Sequence, residues 1–427
     1  MREKLIRVRR MPCRSRHARS VAIATLVIGF LGGCGGTGGP KSSGWKWTDD
    51  DPIWSPDGRQ IAFDSDRAAR KSKLRAVYVM KSDGTGVRRL THGPLDAELP
   101  KWSPDGTRLA YVSNLVRVAT EYGYTHLVYS NRAPIHVVRA DGSGDKKLAV
   151  SRETSGVEWS PDGRWIAFDQ VSPDRTTRFD RDTRSLEIVR PSGRGLRRLA
   201  TDVETFAWSP DAKRLVFTRP EFGGRGSVHL IELDSRRTTR LAKGPPHSGE
   251  FTDVSWSPDG SQIAFVLGSA EITEQSLVDG HVYVVNVDGR NLHVVSSPHV
   301  FAPNNDLTTG AAWLPGAADV LLYNTNNGYY KTSTRKGTSR RLNANEGSPA
   351  VPSPDGKKFL FVPHTDSSKN AIYSQTISGS IRQLTQNKRV KPGHQTAKAR
   401  LMPAVCWALA SSSWSQAPAA VRSLRRR

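Results

Sequence analysis

The 427-residue sequence predicts an all-β fold, a β-propeller of seven blades with four antiparallel strands each; six or eight blades are the alternatives. Three observations carry this. A WSPDG motif followed by an apolar strand recurs at Trp54, Trp102, Trp159, Trp208 and Trp256, with degenerate copies at Trp313 and Pro352. A second pattern, an apolar run, a DG or SG pair and a basic stretch, begins at Val77, Ile135, Leu186, Val228, Val282 and Ile372, with a blurred copy near 330–342. Gly and Pro number 37 and 26, above usual usage, as a turn-rich chain requires. A unit of roughly 50 residues that yields four short strands has the size of a propeller blade.

Each unit follows in order from its residues. Strand a ends at the Trp, and Ser-Pro-Asp-Gly supplies a type I turn with Pro at its second position and Gly at its fourth. Strand b is the IAF-like run and strand c the VYVM-like run. The DG or SG pair then makes a tight hairpin into strand d, which ends in Arg-Leu-Thr or a variant. The Trp residues are expected to fill the space between adjacent blades, and the Asp of SPDG to cap its own turn. All units run a to d without exchange, so the ring would close by blade packing alone.

The ends differ from the body. Residues 1–20 carry a net +7, and an apolar run of eleven residues, Val21–Leu31, follows at once. That run is too short for a bilayer span, which needs about 20 residues, but fits the apolar region of a secretory signal. Leu31-Gly32-Gly33-Cys34 resembles the lipobox of bacterial lipoproteins, which implies cleavage, lipidation of Cys34 and an address in the cell envelope, on the periplasmic or surface side. The expected organisation is a signal peptide at 1–33, a flexible tether at 34–49, the propeller at 50–385 and a basic tail at 386–427, disordered or mispredicted. Of the formal +23, the leader holds +7 and the tail +9, which leaves +7 for the body and gives little support for nucleic-acid binding. Cys13, Cys34 and Cys406 all lie outside the propeller, so neither a disulfide framework nor a thiolate metal cage is available within it.

The WSPDG repeats over about 51–385 resemble the TolB-type family of β-propellers. That resemblance implies a binding scaffold in the envelope with a protein or peptide, or a cell-wall glycan, as partner. TolB-type proteins carry an α/β domain before a six-bladed propeller; here about 16 residues separate Cys34 from the first of seven units.

Antiparallel alternation puts the short SPDG and DG turns on one face of the disc and the longer b–c and d–a connections on the other, where binding is expected. Four residues before each Trp position stand Asp50, Glu98, Ser155, Glu204, Thr252, Thr309 and Ser348, all polar. Period-two alternation places them on the same side of strand a as the Trp, at the mouth of the central channel. They would satisfy backbone amides there, or, through Asp50, Glu98 and Glu204, hold a cation or amine; a divalent cation such as calcium is the one cofactor considered. Tyr122, Tyr124 and His126 could contact a ligand from the second unit's insertion. His92, His126, His247 and His299 share the loop face without a metal motif. No G-x-S-x-G elbow, H-E-x-x-H or P-loop occurs, so the chain reads as a non-catalytic scaffold without catalytic residues. The alternative is a metal-dependent propeller enzyme, a polysaccharide lyase or a glycan or peptide hydrolase, with its site at the channel mouth.

Overall fold

The computed structural model describes residues 47–386, apart from 69–73, 93–95, 115, 122–123, 130–132, 152–153, 155, 172–183, 222–224, 245–250, 269–277, 297–299, 303–309, 326–327, 346 and 364–369. Seven four-stranded antiparallel sheets form a ring, a seven-bladed β-propeller, and no helix occurs among the described residues. Blade 1 contains β1 (Asp49–Trp54), β2 (Gln60–Ser65), β3 (Ala76–Lys81) and β4 (Arg88–Arg89). Blade 2 begins with β5 (Asp96–Trp102) and β6 (Arg108–Asn114), is interrupted by the ribbon β7 (Val116–Glu121) and β8 (Tyr124–Tyr129), and ends with β9 (Ala133–Arg139) and β10 (Lys146–Ser151). Blade 3 holds β11 (Val157–Trp159), β12 (Ile166–Val171), β13 (Arg184–Val189) and β14 (Arg197–Thr201), and blade 4 holds β15 (Phe206–Trp208), β16 (Arg214–Glu221), β17 (Arg225–Glu232) and β18 (Thr238–Lys243).

Blade 5 contains β19 (Phe251–Trp256), β20 (Gln262–Gly268), β21 (Val278–Asn286) and β22 (His293–Val294). Its sheet gains a fifth member, β23 (Val300–Ala302), from the connection that follows, paired with the start of β21. Blade 6 is β24 (Ala311–Trp313), β25 (Val320–Thr325), β26 (Gly328–Ser333) and β27 (Ser339–Arg341); blade 7 is β28 (Val351–Pro352), β29 (Lys358–Phe361), β30 (Tyr373–Thr376) and β31 (Ile381–Gln383). The ribbon β7–β8 and strand β23 lie in segments read from sequence as irregular loops. Residues such as Val116, Val118, Leu127 and Val128 supply β-formers there, but in stretches too short to predict a partner.

Each apolar core lies between two blades. Val216, Val228 and Leu230 of blade 4 pack against Val254, Trp256, Ile263 and Phe265 of blade 5, and the same arrangement recurs around the ring. The motif Trp is the wedge: Trp54, Trp102, Trp159, Trp208, Trp256 and Trp313 are all buried. A Trp buried over about 150–250 Å² is stabilised by roughly 4–6 kcal/mol from its area alone. It is also a tie. The indole N–H groups of Trp159, Trp256 and Trp313 donate to the carbonyls of Lys101, Ala207 and Ser255, the residue just before the Trp of the preceding blade, at 3.2–3.3 Å.

The SPDG turn works as expected. In the first copy Asp57 Oδ1 accepts from Ser55 Oγ at 2.6 Å and from the Arg59 amide at 3.0 Å, while Ser55 Oγ accepts from the Gln60 amide at 2.9 Å. The same bonds recur at Asp105, Asp162, Asp211, Asp259 and Asp355. The turns stack around the ring, Pro56, Pro104 and Pro210 lying beside Gly106, Gly163 and Gly260 of the next blade.

Blade 7 meets blade 1 by the same devices, with no shared strand. Trp54 Nε1 donates to Val351 O, Pro354 lies beside Gly58, and the Asp49 amide donates to Asn370 O. Gly84 (φ +85°) presses so closely on Leu384 that a β-carbon there would stand 2.6 Å from its carbonyl oxygen.

Candidate functional site at the channel mouth

The innermost strands β1, β5, β11, β15, β19, β24 and β28 neighbour one another in that order and return from β28 to β1. They start on the loop face. In β1, β5 and β19 the pairing register slips by one residue, between Asp50 and Ile53, Glu98 and Lys101, and Thr252 and Val254. At each slip one residue takes a left-handed conformation: Asp51 (φ 49°), Leu99 (φ 55°) and Asp253 (φ 49°). Asp tolerates this region better than Leu, whose β-carbon makes it cost about 1–2 kcal/mol.

These bulges correct the predicted alternation. Asp50 pairs with Asp64 whereas Ile53 pairs with Ala62, so the extra residue moves Asp50 onto the Ile53 side of the strand and away from the Trp54 side. Glu98 moves in the same way relative to Trp102.

The consequence is a carboxylate cluster between the first two blades, organised by Arg75 just ahead of β3. Its guanidinium donates through Nε to Asp64 Oδ1 and through Nη2 to Asp50 Oδ2, both at 2.6 Å, and its amide donates to Asp96 Oδ1 at 2.5 Å. Asp64 Oδ2 accepts from the Leu99 amide of blade 2 at 3.4 Å, and Asp50 Oδ1 accepts from Asn370 Nδ2 of blade 7 at 3.1 Å. Asp51, exposed, follows Asp50 in the bulge beside them. Next to this cluster Arg67 pairs with the fully buried Asp49 at 2.5 Å and lies over the rings of Phe63 and Tyr78.

Crowding of acids in a dry place shifts their titration. Burial pushes Glu98 up to about 7, and the charges of Asp96, Asp51 and Asp50 add to the shift against the pull of Arg75. Burial likewise raises Asp64 and Asp96, and Asp51, although its own surface is exposed, is raised by the crowding of protein around it and by the charge of Asp50. Further along the channel Lys101 and Glu158 line a cavity of about 260 Å³ with Ile53, Trp54, Pro56, Trp102, Pro104 and Trp159. Asp253 is pushed up to about 7 by burial and by the charge of Glu158, although its Oδ2 accepts from the Ala311 amide at 2.8 Å.

Of the seven predicted mouth residues, Asp50 and Glu98 come together in this cluster. Ser348 instead serves its own blade, accepting through Oγ from the Val362 amide just beyond β29 at 2.9 Å. Glu204 stands ahead of β15 in blade 4, its amide donating to Thr218 O. Ser155 and Thr309 lie outside the described residues, as do Cys34, Tyr122, His247, His299 and the tail, and the side chains of Thr252, Tyr124 and His126 are likewise not described. His92 is exposed.

Arg75, Asp64 and Asp96 were missed by the sequence reading. A signal existed: Asp64 and Asp169 follow the identical triplet Ile-Ala-Phe, and Arg75 and Arg184 stand two residues before Val77 and Leu186, where the apolar run of strand c begins in the repeat. The pair is indeed repeated, Arg184 meeting the buried Asp169 at 2.5 Å in blade 3.

Two histidines of the blades serve packing. His136 stacks on Tyr111 and His229 on Phe217, as Phe63–Tyr78, Phe265–Tyr283, Tyr323–Tyr330 and Phe361–Tyr373 do in other blades. Among the described residues no group of three His, Cys, Asp or Glu side chains forms a metal cage. Calcium does not fit the cluster around Asp50, because the Arg75 guanidinium takes the position of a counter-ion between Asp50 and Asp64.

The fold and this mouth define a β-propeller with an acid-lined channel. No family model matches the chain. Over 224 residues it is 24% identical to the uncharacterized peptidase YuxL of Bacillus subtilis, a stretch amounting to 52% of this chain and 22% of that protein. The chain therefore matches about a fifth of the length of this curated relative. A puromycin-hydrolyzing peptidase of Mycobacterium tuberculosis superposes with a TM-score of 0.57 at 12% identity, over 82% of this chain and 55% of that one. The β-propeller domain of the Trilobed protease from Pyrococcus furiosus, described as having an open velcro topology, superposes at 0.53 and 12% identity over 81% of this chain and 100% of that one. A putative TolB from Agrobacterium tumefaciens is also similar, at 18% identity and a TM-score of 0.43 over 59% of this chain and 81% of that one. At such identities the likeness is one of fold.

Proposed function

We propose that the chain is a non-catalytic binding scaffold of the bacterial cell envelope, lipid-anchored at Cys34, whose channel mouth receives a cationic segment of an envelope protein or peptide. The observation that supports this most is the gathering of Asp50, Asp51, Asp64, Asp96 and Glu98 around the single guanidinium of Arg75. A Lys or Arg side chain that enters beside the Arg75 bridge meets the exposed carboxylate of Asp51, gains a charge-assisted hydrogen bond there and eases the mutual repulsion of the acids. The basic leader, short apolar run and Leu-Gly-Gly-Cys sequence support the envelope address. Crosslinking and mass spectrometry in native membranes tests the reading: a defined envelope protein is expected, joined near the mouth and lost from an Asp50→Asn/Glu98→Gln variant. Turnover of an oligosaccharide or peptide panel that a chelator abolishes would overturn it.

A further inference from the structure

The outer rim of the ring carries a pattern that the channel does not use. Strand d is the outermost strand of every blade, and its first residues follow directly on the c–d hairpin, on the same face as the SPDG turns. Aligned on the core residue that ends the pattern (Leu90, Leu148, Leu199, Leu241, Val295, Leu342 and Leu384), the three preceding positions read Val-Arg-Arg, Asp-Lys-Lys, Leu-Arg-Arg, Thr-Thr-Arg, Leu-His-Val, Ser-Arg-Arg and Ile-Arg-Gln. They hold ten Lys or Arg and a single acid, Asp145, whose carboxylate is engaged by Tyr111 and His136.

The first of these positions is apolar in blades 1, 3, 5 and 7, and there the side chains of Val87, Leu196, Leu292 and Ile381 are 39%, 55%, 46% and 44% exposed. With Val294, next to His293, they make up every large apolar side chain reported as exposed among the described residues. The exposed large apolar residues described thus all fall on strand d, four of the five in one register, and stand beside the cations. Lys147, Arg240 and Arg340 are exposed and form no ion pair among the described residues, while Arg197 is braced on the Trp165 ring at 4.5 Å. Acids stand nearby as well, in the SPDG turns of the same face and at Asp83, Asp141, Asp234 and Asp288 of the hairpins. Asp83, Asp141 and Asp288 each accept from an amide of their own turn, however, and the strand positions themselves stay cationic.

We propose that this hairpin rim is a docking surface for an anionic phospholipid bilayer. Cations flanking short apolar tips match a bilayer interface, where phosphates meet the cations and the acyl boundary receives the tips. An anionic polysaccharide or nucleic acid would satisfy the charges but leave the apolar tips in water. With the hairpin face on lipid, the acidic mouth, on the opposite face, points away from the membrane.

The test is flotation of the full chain with phosphatidylcholine vesicles and with vesicles in which phosphatidylglycerol replaces a third of that lipid. Strong binding to the anionic vesicles alone is expected, weakening with salt. Lys147→Glu/Arg240→Glu/Arg340→Glu should lose it by about a hundredfold or more, since the loss of each cation near such a surface costs about fivefold and each new carboxylate adds repulsion. Val87→Ser/Leu196→Ser/Leu292→Ser/Ile381→Ser should lose it by about tenfold or more at unchanged charge. Both sets are on the surface, and unchanged melting temperatures confirm their folding. The leader and the basic tail are common to all variants, so wild-type binding by both rim variants would overturn the proposal, as would binding to polyphosphate or heparin without binding to vesicles.

Discussion

The indole N–H of Trp54 donates to the carbonyl of Val351, 297 residues further along the chain, at 3.2 Å. The same bond between neighbouring blades spans 49 to 58 residues. Ring closure therefore repeats the internal joints but brings together the most distant parts of the fold. Trp54→Phe keeps most of the apolar wedge and removes the bond, and should cost about 1 kcal/mol; Trp54→Ala should cost about 3–5 kcal/mol. Urea denaturation of both variants checks the ratio.

Gly84 occupies the other side of that seam. Alanine there meets both a left-handed backbone and the Leu384 carbonyl, so Gly84→Ala should destabilise by more than 1 kcal/mol, whereas Gly337→Ala, with a similar φ and open space around it, should cost only the backbone strain. Thermal melts of the two variants separate crowding from conformation.

Glu98 makes stability depend on pH. Its carboxyl is raised from 4.5 to about 7 in the folded protein, so the folded state binds a proton that the unfolded state has released. Stability from this group is fully present below about pH 4.5 and falls as pH rises toward 7. Glu98→Gln should thus raise stability by about 2 kcal/mol at pH 8 and by much less at pH 5. Denaturation at the two pH values measures the difference, and the opposite order would refute the shift.

Arg75 is the counter-charge for Asp50 and Asp64. Its replacement by Met leaves buried acids unpaired and should cost about 3–5 kcal/mol at pH 8, less at pH 5, where the raised carboxyls of Asp64 and Glu98 take up protons. A melting temperature independent of pH in Arg75→Met would count against the cluster.

Calcium should not move the melting temperature of the wild-type protein, because Arg75 already sits between the two carboxylates that would bind it. Calorimetric scans with millimolar calcium and with chelator check this. A calcium-dependent shift absent from Glu98→Gln would restore the cation reading.

The blades were legible because their determinants are local. Ser55, Asp57 and Gly58 write one turn within four residues, and Trp54 announces the wedge beside it. The mouth was half legible. Asp50 and Glu98 stood out by position, but the bulge that reorients them is fixed by left-handed Asp51 and Leu99, residue types that give no unambiguous sign of that conformation. Arg75 was hidden because its partners Asp50, Asp64 and Asp96 are up to 25 residues away and come from three strands of two blades.

The seam between Trp54 and Val351 makes the starting point of the propeller arbitrary. The joint between blades 7 and 1 is built from the same wedge, the same stacked turn and the same kind of glycine contact as several internal joints, Gly84 meeting Leu384 as Gly142 meets Leu90 and Gly289 meets Leu241, and no strand is shared across it. A gene reordered to start at blade 4, with Thr385 linked to Asp49, would encode the same contacts, and the ring would fold without knowing which blade was made first.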